Sequence, residues 1–147
     1  MAQVQDARGG GATATMATMK KLTPVLVVDE IERCLPFWVE RLGFEKTVEL
    51  PEGTKLGFVI LKKDDVEVMY QSRESVEKDV PALVPEQGGH PIGLFVEVSD
   101  VAVVEQALRG FEVILPRRKT FYGMDEIGLK EPGGNTVIFA QPVKEGT

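Results

Sequence analysis

The chain has 147 residues, 43% of them apolar and 27% charged, enough for one domain with a true core and too few for two ordinary ones. Its net charge of −6, without a basic stripe, sets it against nucleic acid, and no apolar run approaches the roughly 20 residues of a membrane span. A single cysteine, Cys34, excludes an internal disulfide and a cysteine-rich zinc site, and a single histidine, His90, leaves almost no room for a Ser-His-Asp triad or a multi-histidine metal cage.

Residues 1–20 are small, polar and glycine-rich, and are predicted to form a disordered tail or a start-site segment, since Met16 and Met19 can each begin a chain. This stretch lacks the apolar core of a signal peptide, and its Arg8 is balanced by Asp6, so a cytoplasmic location is expected. One domain is predicted over 21–143. Leu22 to Val28 is β-branched and apolar, as in a buried strand. Asp29 then suits an N-cap, with Glu32 completing a capping box. Ile31, Leu35, Trp38 and Leu42 follow at helical spacing until Gly43, and Pro36 inside that span predicts a kink or a late start. Strands are expected at about 44–50, 55–62 and 65–71, the last two joined by a Lys63-Asp64-Asp65 turn.

The second half repeats this order. Gly93 to Val98 reads as a strand, and Ser99 as the cap of a helix carrying Val101, Val104, Ala107 and Leu108 up to Gly110. Gly43-Phe44-Glu45 returns as Gly110-Phe111-Glu112, and Leu61-Lys62 as Leu129-Lys130. Met69-Tyr70-Gln71 is echoed by Phe139-Ala140-Gln141, again about 70 residues on, which predicts a tandem duplication of a βαβββ unit. Module one covers about 21–80 and module two about 90–143. The glycines of Lys130-Glu131-Pro132-Gly133-Gly134-Asn135 lead into strand material rather than a helix, so they are predicted to form a hairpin turn and not a phosphate loop.

With the duplication in view, Val25–Glu45 and Glu126–Phe139 resemble the first strand, helix and exit, and the last hairpin, of the vicinal oxygen chelate superfamily. That group includes glyoxalase I, bleomycin-resistance proteins and extradiol dioxygenases. The resemblance spans about residues 22–142 and implies an α+β fold in which two tandem βαβββ modules form curved sheets around a cavity, with helices outside and a homodimer completing the site. Metal-dependent members carry ligands on the first and fourth strands of each module. Carried over, these positions fall on Thr23, Gly93, Ile138 and either Glu67 or Val68, the last pair being mutually exclusive because a one-residue slip reverses the face. Threonine is a weak ligand, and glycine and isoleucine offer no donor, so no cofactor is expected and a divalent metal is disfavoured.

If Thr23 marks the inward face, alternation adds Val25, Val27, Phe95 and Glu97, and turns Leu26, Val28, Leu94, Val96 and Val98 toward the helices. The segment Pro116–Glu126 then reads either as a solvated loop and edge strand or as a cavity wall. In the second reading Tyr122, Met124 and Glu126 share a face, and Arg117 or Arg118 meets an anionic or carbonyl-bearing ligand. Trp38 is either core or a stacking surface for a flat ligand; Glu67 is a solvated residue or a pocket carboxylate; His90 is a loop residue or lies at the cavity mouth. Cys34 is expected to be a small packing residue. Two functions remain open. One is a metal-free binding protein that sequesters a small organic molecule. The other is a lyase, isomerase or dioxygenase, metal-dependent with shifted ligands or metal-free with Glu126 or Glu67 as general base.

Overall fold

The computed structural model describes residues 16–84 and 91–143. His90 and most of the predicted tail therefore lie outside the described residues. Two four-stranded sheets are present, one per module. Module one comprises β1 (Val25–Val28), β2 (Glu45–Glu52), β3 (Lys55–Lys63) and β4 (Val66–Ser72), arranged β1-β4-β3-β2. Helix α1 (Arg73–Asp79) follows, with Ser72 accepting from the Ser75 N–H as its cap. Module two comprises β5 (Gly93–Glu97), α2 (Val101–Ala107), β6 (Val113–Lys119), β7 (Met124–Lys130) and β8 (Thr136–Pro142), arranged β5-β8-β7-β6. In each sheet the first strand lies parallel to the fourth and the other pairs are antiparallel, as a duplicated βαβββ unit requires. No helix among the described residues is long and apolar enough to cross a membrane.

The helix predicted from Asp29 takes another form. Asp29 accepts from Arg73 Nε at 3.0 Å, and Glu32 accepts from the Leu56 N–H at 2.7 Å, so neither caps. A 3₁₀ turn (Ile31–Cys34) starts after extended Glu30 without a side-chain cap, and a π-helix (Pro36–Arg41) continues from it. Pro36 stands at the start of that second segment, where its missing N–H costs nothing. Gly43 ends it at φ +80°, with the Phe44 N–H donating to the Trp38 carbonyl. In module two the cap is Asp100 rather than Ser99, its carboxylate accepting from Ala102 and Val103. The Gly133-Gly134 segment is a hairpin turn between β7 and β8, with Gly134 at φ +96°.

One apolar core joins the modules. Leu26, Val28, Val59 and Leu61 from the first sheet and Ile127, Leu129, Val137 and Phe139 from the second meet the first helical segment between them. Phe37 lies edge-on to Trp38 and to Phe111, each at 5.2 Å. Trp38 is fully buried and donates to the Tyr70 hydroxyl at 2.8 Å; Tyr70 donates in turn to Glu131 of module two at 2.6 Å. Trp38 is thus a core residue and not a stacking surface for a ligand. The helical segments pack against one face of each sheet; the other face is open except at Gln71, which is buried and donates to Ser75 and Asp79 of α1.

Candidate functional site

Strand register defines the open face of module two. Phe95, Ile138, Gly128 and Leu115 lie side by side across β5, β8, β7 and β6 and form an apolar row. Gly128 is needed there for space, since a Cβ would sit 2.9 Å from the Leu115 Cβ. The next row is Glu97, Ala140, Glu126 and Arg118. In module one the corresponding rows read Val25, Met69, Ile60, Val48 and then Val27, Gln71, Phe58, Leu50. Module two therefore carries an acid and a base, Glu126 and Arg118, where module one carries Phe58 and Leu50.

Glu126 is fully buried and both of its oxygens accept. Arg118 Nε donates to Oε2 at 3.0 Å, with Nη2 2.9 Å from the same oxygen as an ion pair, and the Tyr122 hydroxyl donates to Oε1 at 2.8 Å. A tight turn sets Tyr122 in this position: the Thr120 N–H donates to the Met124 carbonyl at 2.7 Å, the Met124 N–H donates to Thr120 Oγ1 at 3.0 Å, and Gly123 adopts φ +82°. Met124 shares the Glu126 face by strand alternation. Phe95 and Tyr122 remain 54% and 51% exposed, so aromatic surface is available beside this polar cluster.

Arg117 does not belong to the site. It donates to Asp125 at 2.8 and 2.9 Å and to Glu105 of α2 at 2.8 Å, on the helix side of the sheet. Hydrogen bonding by Arg117 holds the Asp125 carboxyl below its usual range. The reason is a register shift: three residues of β6, from Leu115 to Arg118, span two of β7, from Gly128 to Glu126. Simple alternation from Leu115 brings Arg117 to the open face, and the extra residue brings Arg118 instead. Pro116 lies within the shifted stretch and is the one mark of the bulge in the residues, but spacing alone does not separate Arg118 and Leu115 from their neighbours.

In module one, Glu67 and Thr23 come together, Thr23 Oγ1 donating to Glu67 at 3.0 Å, and Lys21 pairs with the same carboxylate at 2.7 Å. Hydrogen bonds from Lys21 and then Thr23 hold Glu67 below the usual carboxylate range. Val68 is buried on the helix side, away from this face. The pairing sets Met69 against Val25 just as it sets Ile138 against Phe95. Threonine, methionine, glycine, isoleucine and one lysine-paired glutamate are a poor donor set for a divalent ion. Among the described residues no three His, Cys, Asp or Glu converge as a metal site. Cys34 is buried in the core and its thiol is pushed well up by that burial, with the Glu131 charge adding to it.

A family model described as the Glyoxalase/Bleomycin resistance protein/Dioxygenase superfamily matches residues 19–139. No curated protein matches the chain. Among solved structures, a glyoxalase/bleomycin resistance protein/dioxygenase from Nocardioides is 21% identical, with 90% of this chain and 89% of that one covered, at a TM-score of 0.69. TnmS3, an antibiotic binding protein from Streptomyces sp. CB03234, is 22% identical, with coverages of 87% and 99% and a TM-score of 0.65. Lactoylglutathione lyase from Agrobacterium tumefaciens is 14% identical, with coverages of 85% and 95% and a TM-score of 0.67. At these identities the likeness is one of fold.

Proposed function

The chain belongs to the glyoxalase/bleomycin resistance protein/dioxygenase superfamily, and from that premise we propose that it binds a small organic molecule, without metal, on the open face of module two. The observation that carries the reading is the apolar row Phe95, Ile138, Gly128 and Leu115, with Ile138 at a position where metal-dependent relatives hold a carboxylate. Beside that row, Tyr122 and Arg118 offer hydrogen-bonding groups to polar atoms of a ligand, and Phe95 offers a flat exposed ring. A second copy of the chain closes the face as a homodimer, which suits the exposed apolar side chains on both sheets. A reducing compartment such as the cytoplasm suits the free thiol of Cys34, and the net charge of −6 disfavours nucleic acid.

An enzymatic reading asks Glu126 or Glu67 to take a proton from a substrate. Both oxygens of Glu126 already accept, and Glu67 is engaged by Lys21 and Thr23, so binding is the better-supported function. Elemental analysis of the purified protein, followed by nickel, zinc, manganese and iron titration against melting temperature, tests the metal-free part. No stoichiometric metal and an unmoved melting temperature are expected; stoichiometric metal with a clear rise overturns it. A thermal-shift screen of planar organic compounds tests the ligand part. Hits should be lost in Phe95→Ala and Arg118→Ala, and hits indifferent to both variants would argue against this face.

A further inference from the structure

A cleft of about 530 Å³ opens between the modules, apart from the candidate site. Its floor is apolar: Leu42, Phe44 and Val66 from module one face Val96, Val98 and Val104 from module two. Its rim is acidic, with Asp64 and Asp65 at the tip of the β3–β4 hairpin and Asp100 at the start of α2. Asp100 is occupied as a helix cap, whereas the side chains of Asp64 and Asp65 make no hydrogen bond or ion pair among the described residues. Two cations line the same cleft, Arg41 and Lys63. Arg41 is turned into module two, donating to the Ala107 and Arg109 carbonyls and lying over the Phe111 ring at 5.0 Å.

We infer that this cleft is a second binding site, for an amphipathic organic cation whose apolar body lies on the valine and phenylalanine floor and whose ammonium group meets the unpaired carboxylates. The volume fits a small molecule rather than a protein segment. Charge decides the sign of the ligand: Asp64, Asp65 and Asp100 outnumber Arg41 and Lys63, and Arg41 is turned into module two, so a cation is favoured over an anion. The floor decides that the ligand is amphipathic, because a small hydrated cation leaves that surface uncovered.

The test titrates the full chain with 4-phenylbutylammonium, 4-phenylbutanol and 4-phenylbutyrate, by calorimetry and by amide chemical shifts. The ammonium compound should bind roughly fivefold more tightly than the alcohol, the size expected for a partly solvated ion pair, and the carboxylate should bind least. Shifts should centre on Asp65, Val66, Val98 and Val104. Asp64→Asn with Asp65→Asn keeps the hairpin, because asparagine accepts the left-handed φ of +52° at position 64, and should remove the preference for the cation. Val103→Trp, at an exposed lining position, should block all three compounds. Equal affinity for the ammonium compound and the alcohol, no binding at all, or shifts centred on Phe95 and Ile138 would each overturn the inference. The last of these would assign the cation to the sheet face.

Discussion

Arg118 donates from Nε to one oxygen of Glu126 at 3.0 Å and sets Nη2 2.9 Å from the same oxygen as an ion pair. Its neighbour Arg117 serves the other face of the same sheet, tying Asp125 of β7 to Glu105 of α2. The bulge in β6 makes this division possible. One arginine seals a buried carboxylate beside the candidate site, and the other fastens the outer helix.

The two arginines should therefore differ on mutation. Arg118→Ala removes the charge partner of a buried carboxylate but also admits water through a half-exposed position, and should cost on the order of 1–2 kcal/mol. Arg117→Ala breaks exposed pairs and should cost less than about 1 kcal/mol. Urea unfolding of both variants checks the order, and Glu126→Gln should recover part of the Arg118→Ala loss. The opposite order would contradict the register described for β6.

Tyr70→Phe should be costly for its size. The hydroxyl accepts from Trp38 and donates to Glu131, so its loss leaves two buried polar groups without partners, at about 2–3 kcal/mol. Tyr122→Phe, at a half-exposed position, should cost less than about 1 kcal/mol. Chemical denaturation of the pair separates the two outcomes, and equal losses would count against a network that joins the modules.

The pH dependence has an alkaline arm with a definite sign. Burial first, then the Glu131 charge, holds the Cys34 thiol and the Tyr70 phenol far above their ordinary values of 9.0 and 10.0. Both stay neutral in the fold and ionise in the unfolded chain, so their contribution is complete below pH 9.0 and is lost as pH rises past those values. Each adds a slope of up to about 1.4 kcal/mol per pH unit. Stability measured from pH 7 to beyond pH 10 should fall at the upper end, and Cys34→Ala should flatten the first part of the fall. The thiol should react with a disulfide reagent only as fast as the protein opens. On the acid side Asp125 and Glu67 sit below their ordinary values, so their contribution is present above 3.8 and 4.5 and fades as pH drops further.

Gly128→Ala tests the floor of the site. The backbone there is ordinary, and the added methyl meets Leu115 at 2.9 Å, so the cost is one of overpacking, about 1–3 kcal/mol. Leu115→Ala in the same chain should recover melting temperature. A Gly128→Ala variant as stable as the parent would show that β6 yields freely.

The proposed homodimer rests on exposed apolar groups such as Leu50, which is 53% exposed on the open face of module one. Leu50→Asp should shift the mass measured by light scattering from dimer to monomer while the melting curve stays cooperative. A parent protein that is monomeric at high concentration would remove this part of the proposal.

The order of elements within each βαβββ unit, the duplication, the hairpin at Gly133-Gly134 and the inward and outward alternation of β1 and β5 were all legible in the residues, whereas helix α1 after β4 was not. They follow from local rules: the two-residue period of a half-buried strand, the turn chemistry of glycine, and the recurrence of a short motif. Ile138 and Gly93 were legible for the same reason, since their strands carry no irregularity. Three things were decided only by the tertiary structure. The helix after β1 became a 3₁₀ turn and a π-helix because Asp29 and Glu32, its apparent caps, found partners in Arg73 and Leu56, far along the chain. Trp38 went to the core because Tyr70 on β4 and Glu131 in the β7–β8 hairpin complete its hydrogen bond. Arg118 took the place beside Glu126 because one extra residue in β6 reversed the faces, and pairing energy along a neighbouring strand, not any property of the two arginines, sets where that residue falls.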